Sequence, residues 1–179
     1  MIGNDIIDRQ AAQRESNWQR KGFLAKLFTA AEQLLIQDAV DPEQCVWELW
    51  SRKEAAYKVY HRQSKIRAFI PLQLECSPTT KGPEGQSGTV SCRGNTYHTT
   101  TLIMPDYIHT IAVTDHRLRH GLEINICRFA DLHLRPVYRK DKYGIPYLSG
   151  AASSGLPYLS VSHHGKFWSS IATAPLVQQ

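Results

Sequence analysis

The chain has 179 residues, 42% hydrophobic and 21% charged, which fits one globular domain or two small lobes sharing a core. No apolar run approaches the roughly 20 residues of a membrane span, and the start MIGNDIIDRQ lacks the basic-then-apolar layout of a secretion signal, so a cytoplasmic protein with no membrane partner is expected. A formal net charge of +5 favours an anionic partner, but the basic residues are spread rather than blocked, which argues against nucleic acid; the four cysteines (Cys45, Cys76, Cys92, Cys127) form no CxxC pair and read as reduced thiols.

Ile2–Ile7 is short and mostly apolar and predicts a strand, interrupted by Asn4 and Asp5. Over residues 12–27, Trp18, Phe23, Leu24 and Leu27 recur at helical spacing. Thr29 followed three residues on by Glu32 is a capping-box signature for a helix from Ala30 to Ala39. Asp41-Pro42 reads as an N-cap with proline at the first helical position, opening a helix to Tyr60 whose apolar face holds Val46, Trp47, Trp50 and Tyr57. From Phe69 the period changes to two. FIPLQLEC alternates as a strand does, and GTVSC and YHTTTLIM flank Arg93-Gly94-Asn95 as a hairpin. SPTTKGPEGQSG (77–88) reads as a loop, YIHTIAVTD and GLEINICRF as strands, and DKYGIPYLSGAASSGLP (141–157) as a second irregular segment. YLSVSHH and FWSSIAT, with Gly165 between them, close the chain as a strand pair. The order gives an α+β protein.

Three stretches carry residue types suited to chemistry. In Gly3-Asn4-Asp5-Ile6-Ile7-Asp8 a carboxylate stands in an apolar strand, where it must be solvated, paired or bound to metal. Asp5 shares a face with Ile7, and Asp8 points the other way. In Trp50–Lys58, Trp50, Glu54 and Lys58 stack at i, i+4 and i+8 of a helix, where Glu54 and Lys58 alone would be an ordinary surface ion pair. In Ser160–Gly165, neighbouring Ser and His residues on a strand face opposite ways, which speaks against a serine nucleophile with a histidine base.

In this order, Gly3–Asp8, Trp50-x-x-Lys53-Glu54-Ala55-x-x-Lys58, Tyr143-Gly144-x-Pro146 and Ser160-x-Ser162-His163 resemble the 4′-phosphopantetheinyl transferase superfamily; Phe28–Gln33 is similar to that family's F-(S/T)-x-x-E segment. The resemblance spans nearly the whole chain. It implies an antiparallel sheet packed with a long helix carrying the Lys-Glu-Ala motif, and one transferase domain (residues 1–116 a metal-site lobe, 117–179 a coenzyme A-binding segment). The implied reaction moves the 4′-phosphopantetheine arm of coenzyme A to a serine of an acidic apo carrier protein and releases 3′,5′-ADP. The resemblance puts Mg²⁺ on Asp5 and Glu54, phosphate on Lys58, and the coenzyme A nucleotide on Ser162 and His163. Glu54 and a metal-bound water both remain candidate acceptors for the serine proton. Arg9, Arg14, Arg20 and Lys21 are candidates for the carrier interface.

The pattern departs from the family in three places. The acid two residues after the first aspartate, present in the surfactin-synthetase type, is Ile7 here, and the motif order is that of the small holo-acyl-carrier-protein synthases, which work as trimers. The lysine of Y-G-K-P is Ile145, so Arg139, Lys140 and Lys142 are the candidates to supply its charge to coenzyme A. His164 stands where a small hydroxyl residue usually follows. Against the two-lobed type the chain is permuted: residues 1–116 resemble the second lobe and 120–175 the end of the first. Phe167–Thr173 and Ile2–Ile7 are then expected side by side, paired antiparallel, either within a monomer or between subunits of a trimer. The alternative function is an inactive relative that binds coenzyme A or a carrier without transfer.

Overall fold

A computed structural model describes residues 1–128, 130, 137–148 and 158–173. The chain begins with β1 (Ile2–Asp8), followed by α1 (Arg9–Glu15), α2 (Phe23–Leu27), α3 (Ala30–Gln37) and α4 (Pro42–Ser64). Then come β2 (Glu75–Cys76), β3 (Thr80–Gly82), β4 (Gly85–Cys92), β5 (Asn95–Ile103) and β6 (Tyr107–Val113). The last part holds β7 (Leu122–Arg128), β8 (Tyr138–Lys140), β9 (Pro146–Leu148), β10 (Leu159–His164) and β11 (Phe167–Thr173). The first sheet has the order β1-β6-β5-β4-β2, with β3 also on β4; a second has the order β10-β11-β7; β8 and β9 form a short hairpin; every pairing is antiparallel.

The long helix α4 is built from its ends inward. Asp41 accepts from the Gln44 N–H, Pro42 fills the first turn, and Lys65 closes the far end in a left-handed conformation with its N–H on the His61 carbonyl. Val46, Leu49, Ala55, Ala56 and Val59 are buried against the first sheet and form its core with Val90, Tyr97 and Ile108. β1 lies against α4 at Gly3, where a Cβ would overlap the Ala55 carbonyl oxygen. All seven residues of β1 are buried, because α4 and the second sheet cover it.

The mixed α+β architecture, the antiparallel sheets, the capping box at Thr29–Glu32 and the hairpin at Arg93–Gly94 match the sequence expectations. Four do not. The helix expected over 12–27 is two short ones, because the Asn17 side chain takes the Gln19 N–H and Gly22 sits at φ 82°, outside helical space. FIPLQLEC is mostly not strand: it holds a 3₁₀ turn at Pro71–Gln73, since Pro71 has no N–H for a ladder, and only Glu75–Cys76 is strand. The loop expected at 77–88 contains β3 and the start of β4, an exposed polar hairpin that composition hides. The irregular segment at 141–157 contains β9, paired with β8; its residues 149–157, like Phe129 of the GLEINICRF stretch, lie outside the described residues.

The expected antiparallel pairing of Phe167–Thr173 with Ile2–Ile7 is also corrected. β11 pairs with β10 and β7, and β1 with β6. The strands are still neighbours: Ile2 and Ile171 share a small core with Ile111 and Val113, and Asn4 Nδ2 donates to Ser169 Oγ at 3.0 Å. Side chains, not backbone, join the two sheets there.

Candidate active site

β1 and α4 bring Asp5, Glu54 and Lys58 together. The ammonium of Lys58 donates to the Asn4 carbonyl at 2.6 Å and lies 3.5 Å from Asp5 Oδ1. Its partner is therefore the strand carboxylate, not the Glu54 one turn earlier on its own helix. Asp5 Oδ1 also accepts from Ser162 Oγ at 2.9 Å. Asp5 and Glu54 line one cleft of about 310 Å³, with Trp47, Trp50, His163 and His164.

Glu54 stands out electrostatically. Burial and the negative charge of Asp5 push its carboxyl up to about 7, and Lys58 only partly opposes this. Two carboxylates in one cleft, with the lysine on Asp5 alone, suit a cation or a proton between them. A hard divalent ion fits this donor set, since Mg²⁺ is commonly held by one or two carboxylates, water and substrate phosphate oxygens. Among the described residues there is no group of three or more His, Cys, Asp or Glu side chains able to form a cage by themselves. Asp8 takes no part. Burial opposes its ionisation, but N–H bonds from Lys166, Ala11 and Gln10 hold its carboxyl below the usual range, and it caps α1. His109, behind Asn4, is pushed down to about 3 by burial and the charges of Lys58 and Arg119; it stays neutral and bonds to Ser169.

Lys58 itself lines a second cavity of about 230 Å³, with His61, Arg62, Lys140, Ile145, Ser160 and His163. His163 lines both spaces, so they meet at that side chain. Arg62 donates to the Leu159 carbonyl and lies over the Tyr158 ring, while its Nε and His61 Nε2 are buried without a hydrogen-bond partner among the described residues. Burial and the neighbouring Arg67 and Lys65 charges push the His61 imidazole down, so the cations of this lining are Lys58, Arg62 and Lys140, whose charge suits an anionic ligand.

The sequence-predicted residues divide accordingly. Asp5, Glu54, Lys58 and His163 converge. Ser162 is 7% exposed and lines neither cavity. Arg139 and Lys142 are also absent from both linings; Lys142 lies over the Tyr143 ring, and of the three basic candidates it is Lys140 that faces the second cavity. Ile145 is buried in its wall. His61 and Arg62 are additions. Their signal was in the sequence: Glu54, Lys58 and Arg62 continue one i, i+4, i+8 stripe beyond the motif.

A third pocket of about 270 Å³, lined by Phe23, Phe28, Trp47, Trp50 and Phe69 and rimmed by Arg20 and Lys26, shares Trp47, Trp50 and Ser16 with the carboxylate cleft.

Among known proteins, the fatty acid synthase alpha subunit hexA of Dothistroma septosporum is 26% identical over 87 residues, covering 49% of this chain. The match covers 26% of that protein, so the chain spans about a quarter of its relative's length. The sequence model of the 4′-phosphopantetheinyl transferase superfamily matches residues 1–112, the segment that contains β1, α4 and the two cleft carboxylates. The chain belongs to the 4′-phosphopantetheinyl transferase superfamily.

Proposed function

We propose that the chain transfers the 4′-phosphopantetheine arm of coenzyme A to a serine of an apo carrier protein, with a divalent cation, Mg²⁺ by preference, on Asp5 and Glu54. The observation that carries this reading is the meeting of two carboxylates and Lys58 with a cationic cavity next door. The cavity at His61, Arg62 and Lys140 takes the phosphorylated nucleotide of coenzyme A, and these side chains replace the family lysine that is Ile145 here. The pyrophosphate then lies beside Lys58. Held by Asp5 and Glu54, Mg²⁺ would supply charge neutralisation for the pyrophosphate of coenzyme A, whose P–O bond to 3′,5′-ADP breaks in the transfer. Lys58, tied to the Asn4 carbonyl, stabilises the transferring phosphoryl oxygens. His163, between the two spaces, contacts the phosphates. Asp5 and Glu54 come from the segment before residue 60 and His163 from the end of the chain, which supports a site complete within one chain.

The aromatic pocket beside the cleft supports the carrier side of the reading. Arg20 and Lys26 at its rim suit an acidic partner, and the rings suit an apolar side chain of that partner. Incubation with coenzyme A, Mg²⁺ and a panel of apo acyl and peptidyl carriers tests the proposal. A carrier that gains the mass of the phosphopantetheine arm supports it. Coenzyme A binding with no mass gain on any carrier would leave the inactive relative.

A further inference from the structure

The second sheet meets β1 through a regular set of side chains. Ser160, Ser162 and His164 are alternate residues of β10, so they project on one face. Among the described residues, β1 has a strand, β6, on one edge only. The N–H groups of Asn4, Ile6 and Asp8 point out of the other edge, where burial obliges them to find acceptors. Ser160 Oγ accepts from Asn4 at 3.0 Å, Ser162 Oγ from Ile6 at 3.3 Å, and His164 Nδ1 from Asp8 at 3.0 Å, each pair 156 residues apart. Three side chains thus do what a neighbouring strand's carbonyls would otherwise do.

A hydroxyl differs from a carbonyl in one respect: it accepts and still has a proton to donate. Ser162 uses that proton on Asp5 Oδ1 at 2.9 Å. Its acceptor side is fixed by the Ile6 N–H, so its donor side has one direction left, the carboxylate of the preceding residue. Lys58 holds the same oxygen. Oδ1 is therefore fixed by two donors, which leaves the second oxygen of Asp5 for the cleft. A role as nucleotide ligand does not suit this geometry, because Ser162 lines neither cavity while its neighbours Val161 and His163 do.

We infer that Ser162 is a positioning residue that orients Asp5 for the cation, not a ligand of the substrate. This rests on the proposed cation site at Asp5 and Glu54. The test is Mn²⁺ titration of the full chain, read by electron paramagnetic resonance with coenzyme A present, for the wild type, Ser162→Ala and Ser162→Thr. Thermal melts and metal-free coenzyme A binding are measured on the same samples. Loss of an outer hydrogen bond to a ligating carboxylate weakens metal binding by about 10–100-fold. Ser162→Ala is expected to show a loss of that order, with metal-free coenzyme A binding unchanged; Ser162→Thr keeps the hydroxyl and restores the affinity. Should Ser162→Ala fail to fold, Ser162→Cys keeps the volume with a weaker donor, and an intermediate loss of Mn²⁺ affinity is expected. Mn²⁺ affinity equal to wild type in a folded Ser162→Ala or Ser162→Cys protein, or weakened metal-free coenzyme A binding with Mn²⁺ affinity intact, overturns the positioning role alone. A wild-type chain that binds no Mn²⁺ overturns the cation site and the positioning role together.

Discussion

Glu54 shares its cleft with Asp5, and burial and that neighbouring charge raise its carboxyl from 4.5 to about 7. The folded protein therefore holds the Glu54 proton more tightly than the unfolded chain. The associated stability is fully present below about 4.5 and is lost as pH rises through about 7. Metal-free wild type should lose about 2–3 kcal/mol relative to Glu54→Gln over that window, and Mg²⁺ should restore part of it. Denaturant unfolding at pH 5 and pH 8 reads this directly, and parallel pH curves for the two proteins would contradict it. Lys58 can be separated from a mere ion pair in the same spirit. Its link to Asp5 is partly exposed and worth under about 1 kcal/mol of stability, so Lys58→Ala should melt nearly normally. If the ammonium acts on the transferring phosphoryl group, the loss appears in kcat. A normal kcat would return Lys58 to the role of strand anchor through the Asn4 carbonyl.

At the scale of elements, α4 is oriented by a buried ion pair that its motif contains but does not advertise. Lys53 and Glu32 are each about 1% exposed and lie 2.6 Å apart. Lys53 also donates to the Pro71 carbonyl, and Glu32 accepts from the Cys76 and Thr29 N–H groups. The pair ties α3 and the turn before β2 to α4, one residue from Glu54. Lys53→Met should cost about 3–5 kcal/mol, because Glu32 is left charged and buried. Urea unfolding measures it, and a loss under about 1 kcal/mol would show the pair to be incidental. The Thr29–Glu32 capping box was legible in the sequence; the second use of Glu32 was not, since a capping signature is local and its partners lie 21 and 44 residues away. The strand reading of FIPLQLEC failed for a related reason. A 3₁₀ turn buries Ile70, Pro71 and Leu74 and exposes Phe69 and Leu72, which over so short a stretch imitates alternation.

Over the whole molecule, the order of motifs foretold which segments meet, but not how. Asp5, Glu54, Lys58 and His163 do converge, and the first and last strands are neighbours. The two sheets meet through a row of β10 side chains on the edge of β1, not a ladder, and its signal was present as polar residues at every second place of β10. Ser160 and Ser162 looked like parts of a binding motif, and His164 like a departure from it, because alternation says which face a residue is on and not what that face meets. The nucleotide end was the least legible, since Ile145 removes the expected charge and Lys140 and Arg62 reach the cavity from separate elements. The most direct test compares wild type with Glu54→Gln, using the intact mass of an apo carrier after incubation with coenzyme A and Mg²⁺. The expected result is Mg²⁺-dependent gain of the phosphopantetheine arm by wild type, and no gain by a folded Glu54→Gln protein that still binds coenzyme A. Equal, metal-independent turnover by both proteins would contradict the two-carboxylate site.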